Sequence, residues 1–240
     1  MLHQRDETKP PQFGSWLSAL PNLALIWSSP IRPVRLPQTF AANDTAERPP
    51  VLVFPGIMSH DSATSLMRRT LSAAGYPAYR SNLGVVTGVS PEAFANAEER
   101  LDQIYRLHGE PVVLIGVSLG GLFARVLAQR WPEKVRLVMT LGTPFSGDRR
   151  ANNAWRLYEA LNRHSVDDPP LKDDPSLKPP VKTIAIWSRT DGVIAAACAR
   201  GCDGERDVAI EVPEKHFQFS ASRRSIERVM ATLEEHLSEV

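Results

Sequence analysis

The chain has 240 residues, of which 42% are hydrophobic, and its 28 basic and 27 acidic residues leave a net charge of +1. This length fits one α/β domain with a sizeable core. The interspersed, balanced charge gives no electrostatic ground for nucleic acid as a partner. No run of about 18 apolar residues is present, so no integral membrane segment is expected.

The N-terminus, Met-Leu-His-Gln-Arg-Asp-Glu, is charged and leads into no apolar stretch of useful length, a poor secretory signal. A cytoplasmic location is therefore expected. Eight of the 20 prolines precede Val51. Residues 1–50 accordingly read as an irregular leader packing on the core, with a short helix near Trp16–Leu20 and an apolar patch at Leu23–Trp27. From Val51 to the C-terminus, apolar strand runs alternate with amphipathic helices. Strands read at Val51–Phe54, Ala78–Ser81, Val112–Gly116, Val135–Leu141, Thr183–Trp187 and Val208–Val212. Helices read at Asp61–Ala74, Pro91–Leu107, Leu119–Arg130, Asn153–Arg163 and Ser222–Leu237. The alternation predicts an α/β domain over 51–240, with a mostly parallel sheet covered by helices on both faces. Residues 145–180, ending in a cluster of five prolines from Pro169 to Pro180, read as an insertion. Cys198 and Cys202 have no further ligands at zinc spacing, so two reduced thiols and no metal are expected.

The most informative stretch is Val112 to Gly121. Four apolar residues run into Gly116-Val117-Ser118-Leu119-Gly120, a G-x-S-x-G sequence, and a helix follows. Strand, sharp turn with a serine, then helix is the context of a nucleophile elbow. Ser118 is read as the nucleophile, with a helix N-terminus behind it. In the chain order of this architecture an acid follows a later strand and a histidine follows the last one. Asp191, at an Asp-Gly turn after the strand ending at Trp187, fits the acid, with Asp203, Asp207 and Glu214 as alternatives. His216, shortly after Val212, fits the base. His3 and His236 lie near the termini, His108 at a helix end, His164 in the insertion, and His60 precedes the serine. Backbone N–H donors for an oxyanion are expected from Leu119 and from Ile57 in the loop after the first strand, with Met58 as the alternative.

Five segments together resemble the lipase-like, esterase branch of the α/β-hydrolase superfamily. They are Val-Phe-Pro-Gly-Ile-Met from Val53, Gly-Val-Ser-Leu-Gly-Gly from Gly116, Leu-Gly-Thr-Pro-Phe-Ser-Gly from Leu141, Ser-Arg-Thr-Asp-Gly-Val-Ile from Ser188, and Lys-His-Phe from Lys215. The resemblance spans roughly Val51 to Leu237. It departs from the family in having Pro55-Gly56 where many lipases have His-Gly, and Glu214-Lys215 where Gly-Ser commonly precedes the histidine. It implies an α/β-hydrolase fold with a short cap insertion, and acyl transfer from a small-molecule or lipid ester to water through Ser118, His216 and Asp191, with no cofactor. A thioesterase or acyltransferase using the same triad, or a non-catalytic ligand-binding member of the fold, are the alternatives. The insertion at 145–180 corresponds to the lid of lipases. Trp155, Leu157, Tyr158 and Leu161 recur there at helical spacing, suiting either a substrate-facing or a core-facing helix. The acidic, proline-rich remainder from Asp167 to Pro180 reads as a solvated loop.

Overall fold

A computed structural model describes residues 7–11 and 48–238 of the chain. The helix expected at Trp16–Leu20, the patch at Leu23–Trp27 and His3 lie outside the described residues.

Six parallel strands form one sheet: β1 (Val51–Phe54), β2 (Ala78–Arg80), β3 (Val112–Val117), β4 (Val135–Leu141), β5 (Lys182–Trp187) and β6 (Val208–Glu211). Their spatial order is β2-β1-β3-β4-β5-β6, with β1 pairing β3 in the register Val53↔Ile115 and β3 pairing β4 in the register Ile115↔Met139. The helices are α1 (Ser65–Ala73), α2 (Pro91–His108), α3 (Leu119–Arg130), α4 (Trp155–Leu161), α5 (Ala196–Arg200) and α6 (Arg223–Leu237).

Because side chains alternate along a strand, each central strand feeds two cores. Val51 and Val53 pack with α1 and α6 through Met67, Leu71, Ile226 and Leu233. Leu52 and Phe54 pack with α2 and α3 on the opposite face, through Phe94, Leu101 and Phe123. Every residue of β1 and β3 is buried, as expected of parallel strands covered on both sides. Capping fixes the helix entries. Ser90 Oγ accepts from the Ala93 amide at 3.1 Å ahead of Pro91, and Ser222 Oγ accepts from the Ser225 amide at 3.0 Å.

Two departures from the sequence reading are local. The first predicted helix is interrupted: Asp61–Thr64 is a 3-10 turn before α1. There the Asp61 carboxylate reaches across to the Ser81 and Asn82 amides at 2.8 and 3.0 Å, which holds this turn to the residues just after β2. The short helix α5 was not anticipated, although the run Ala195-Ala196-Ala197-Cys198-Ala199 has high helix propensity. The described leader residues lie against this helix. The Glu7 carbonyl accepts from the Ala197 amide at 3.1 Å, and its carboxylate pairs with Arg200 at 3.0 Å.

Candidate active site

The reversal of strand order between β1 and β3 opens a crevice at the C-terminal edge of the sheet, where ligands bind in open α/β folds. Ser118 stands at that edge between β3 and α3. Its backbone has φ 51° and ψ −122°, a conformation that L-residues rarely adopt. Its amide donates to the Leu141 carbonyl of β4 at 2.8 Å, and its carbonyl accepts from the Gly121 amide at 2.9 Å, which together hold the turn. The flanking glycines are a steric requirement. A Cβ on Gly116 would lie 2.3 Å from the Gly121 Cα, and one on Gly120 would lie 2.5 Å from the Phe54 carbonyl oxygen. Strand and helix can cross this closely only without side chains at those positions.

Asp191 and His216 meet at the same edge, after β5 and β6. The Asp191 Oδ2 to His216 Nδ1 distance is 2.8 Å, and both side chains are buried. Asp191 Oδ1 accepts from the Val193 and Ile194 amides at 2.8 and 2.7 Å, so the carboxylate cannot swing away. The main chain repeats the link, with the His216 amide donating to the Asp191 carbonyl at 2.9 Å. Since a carboxylate only accepts, Nδ1 carries a proton, and in the neutral imidazole Nε2 then keeps its lone pair. Phe217 and Phe219 pack edge-on to the imidazole and fix its plane. Gly142, which follows the Leu141 partner of Ser118, lets Asp191 in: a Cβ there would lie 2.9 Å from Asp191 Oδ2.

The alternative acids make no bond to His216 among the described residues, although the buried Glu214 keeps its Oε2 without a partner. Asp203 pairs with Arg206 and Asp207 with Lys178, while Glu214 Oε1 accepts from Ser222 Oγ at 3.3 Å. Of the other histidines, His108 bonds the Tyr79 hydroxyl, His164 the Tyr158 hydroxyl, and His60 caps the turn at Ser62. In the loop after β1, Gly56 approaches so closely that a Cβ there would lie 3.2 Å from Ser118 Cβ. The Met58 amide is consumed by the Val86 carbonyl at 2.7 Å, which removes it as a donor. The Ile57 and Leu119 amides donate to no group among the described residues.

Beside Ser118 lies a cavity of about 140 Å³, lined chiefly by apolar side chains, among them Ile57, Leu122, Val126, Trp155, Tyr158 and Ile194. Helix α4 is split. Trp155 and Tyr158 face the cavity, whereas Leu157 and Leu161 are exposed. The stretch expected to be a solvated loop instead closes the cavity with Pro169, Leu171 and Pro175, because its apolar residues interleave with its acids. Asp173 anchors it through a two-point pair with Arg130 at 2.8 and 2.6 Å, which also holds the Asp173 carboxyl below its usual pKa.

A second anchor was missed from the sequence. Arg125 of α3 is fully buried and donates to the carbonyls of Pro175, Ser176, Leu177 and Glu205. Its guanidinium also stacks on Phe145 at 4.0 Å. Burial pulls its pKa down to about 10, which still leaves it charged at neutral pH. The signal was present: an arginine inside Leu122-Phe123-Ala124-Arg125-Val126-Leu127, a helix apolar all round, has no solvated face to occupy.

Both thiols are free. Burial raises the Cys198 thiol to about 11, and Cys202 is exposed. Among the described residues, no cluster of His, Cys, Asp or Glu is arranged to hold a metal ion, and no helix is long and apolar enough to cross a membrane.

No protein-family model and no curated protein sequence matches the chain. Solved structures do. A lipase-esterase related protein from Clostridium acetobutylicum superposes with a TM-score of 0.58 at 16% identity, covering 80% of this chain and 96% of that one. An α/β hydrolase enzyme from the sediment metagenome of the Mar Chica lagoon, Morocco, gives 0.57 at 18% identity, covering 80% and 93%. A lipase from Bacillus licheniformis in its mature form gives 0.56 at 16% identity, covering 80% and 96%. Likeness at these identities speaks to the arrangement of the chain.

Proposed function

We propose, starting from a chain that has the α/β-hydrolase fold, that it hydrolyses carboxylic esters through Ser118, His216 and Asp191. The observation that carries this reading is the buried 2.8 Å bond between His216 Nδ1 and Asp191 Oδ2, formed at the sheet edge where Ser118 sits in a strained turn. A structural histidine would not need its tautomer fixed by a carboxylate that is itself held by two amides. The lipases and the hydrolase among the similar structures are in keeping with the reading.

In this mechanism His216 Nε2 removes the Ser118 hydroxyl proton as Oγ attacks the ester carbonyl. The carbonyl oxygen, becoming negative, is held by the Leu119 and Ile57 amides, with the α3 N-terminus adding its dipole. His216 then protonates the leaving alcohol, and the acyl group stays on Ser118 until water, deprotonated by the same imidazole, releases it. Asp191 keeps the imidazole oriented and stabilises its charged form. The leaving alcohol takes its proton from the enzyme and the carboxylic acid takes its hydroxyl from water, so no cofactor enters.

We assign residues 145–180 the role of a cap over the acyl cavity. The Arg125 bonds and the Arg130–Asp173 pair support a wall fixed to α3 more than a freely hinged lid.

The test is hydrolysis of p-nitrophenyl esters of increasing acyl length by the wild-type chain and by Asp191→Asn. Turnover by the wild type is expected, with kcat reduced about 10⁴-fold in Asp191→Asn because the imidazole then rests in the wrong tautomer. Wild-type turnover unaffected by Asp191→Asn would remove Asp191 from the mechanism.

A further inference from the structure

The cavity beside Ser118 is apolar for most of its lining, and among the described residues its one cationic lining residue is Arg149. The exposed Arg149 guanidinium donates to the carbonyl of Val166, another lining residue, at 3.0 Å, which holds it at the rim of the cavity. Its field is felt by the Tyr158 hydroxyl, another wall residue.

The surroundings are rich in carboxylates, yet each is held by another group. Asp148 accepts from the Arg150 amide, Glu159 from Ser165, and Asp174 from Ser176. Asp167 pairs with Arg150, Asp168 with Lys172, and Asp173 with Arg130. Asp174 adds a distant countercharge to Arg149 without pairing with it. Arg149 thus keeps most of its five N–H donors unspent, with one carbonyl bond and no ion pair among the described residues. Arg149 is exposed, so water satisfies those donors in the free chain, and an anion reaching the cavity mouth would meet a cation that no carboxylate among the described residues has already claimed.

We propose that the ester accepted here carries a carboxylate at the far end of its apolar chain, and that Arg149 binds that carboxylate. The planar guanidinium offers two parallel donors to a carboxylate, a geometry a lysine could not reproduce. The role of Ser118 as nucleophile rests on the reading above, but binding of the carboxylate does not require turnover.

Two measurements separate the two ideas. In the first, monomethyl suberate and methyl octanoate, of equal chain length, are titrated calorimetrically into Ser118→Ala, alone and combined with Arg149→Gln or Arg149→Lys. Arg149→Gln should weaken monomethyl suberate about fivefold relative to methyl octanoate, Arg149 being open to solvent at the cavity mouth. Arg149→Lys should recover part of the difference, and added salt should narrow it. In the second, the kcat/KM ratio of the p-nitrophenyl half-ester of suberate to p-nitrophenyl octanoate should fall about fivefold on Arg149→Gln; the ratio is independent of how much folded enzyme each sample holds. Equal weakening of both ligands, or a ratio unchanged while turnover still depends on Ser118, overturns the Arg149 assignment and leaves the hydrolase reading standing. Arg149-dependent binding without any turnover supports the assignment and sinks the hydrolase reading.

Discussion

Replacing Ser118 with alanine is expected to lower kcat for ester hydrolysis by about 10⁶-fold, because the residues of such a triad act as one unit. Residual turnover should come only from the oxyanion donors and from binding. The fold should survive. Ser118 Oγ makes no hydrogen bond among the described residues, and alanine occupies the same backbone region with the same strain. Melting temperature and circular dichroism should therefore match the wild type while activity disappears. Loss of activity accompanied by a large fall in melting temperature would instead assign Ser118 a structural role. His216→Ala should fall by a comparable factor, and the double variant scarcely further.

Arg125→Met is expected to cost about 3–5 kcal/mol of stability. Two effects oppose each other. Removing the guanidinium relieves the penalty of keeping a charge out of water, but it strips the donor from the Pro175, Ser176 and Glu205 carbonyls, each worth about 1–3 kcal/mol when buried without a partner, while the Leu177 carbonyl keeps the Gln129 amide. It also removes the stack on Phe145. The orphaned carbonyls win on number. For a chain of this size about 2–4 °C is lost per kcal/mol, so calorimetry should record a fall of roughly 6–20 °C. Lys at the same position should recover little, since one ammonium cannot span carbonyls spread over Pro175 to Leu177 and Glu205. A fall under about 2 °C would mean that water readily replaces the guanidinium, and that the cap is not held by Arg125.

How much of this could be read from the residues differs from region to region. The centre of the sheet was legible because β1, β3 and β4 are short, largely apolar runs ended by Pro55, Ser118 and Gly142, and β1 and β4 fall at the expected bounds. The elbow was legible because its glycines answer a local steric demand, set by atoms within a few residues of Ser118 and by the adjacent β1. Asp191 and His216 could be chosen by chain order, but their 2.8 Å bond is a long-range fact that no local pattern contains. The course of residues 145–180 was legible only in part. Residues 167–177 look solvated because acids and prolines dominate them, and their apolar members find the cavity only through the partners that α3 supplies. Arg149 gave no signal at all, since an exposed arginine becomes notable only when every neighbouring carboxylate is seen to be taken. No local reason favours Ile57 over Met58, and the engagement of the Met58 amide by the Val86 carbonyl is likewise a long-range fact.

The most direct test of the central claim is covalent labelling by a p-nitrophenyl alkylphosphonate, which mimics the tetrahedral intermediate and stays on the attacking oxygen. Intact-mass and peptide mass spectrometry should find a single adduct per chain, on Ser118, formed far more slowly in His216→Ala. An adduct on another residue, or none in the folded wild-type chain, would contradict the assignment of Ser118 as a nucleophile activated by His216.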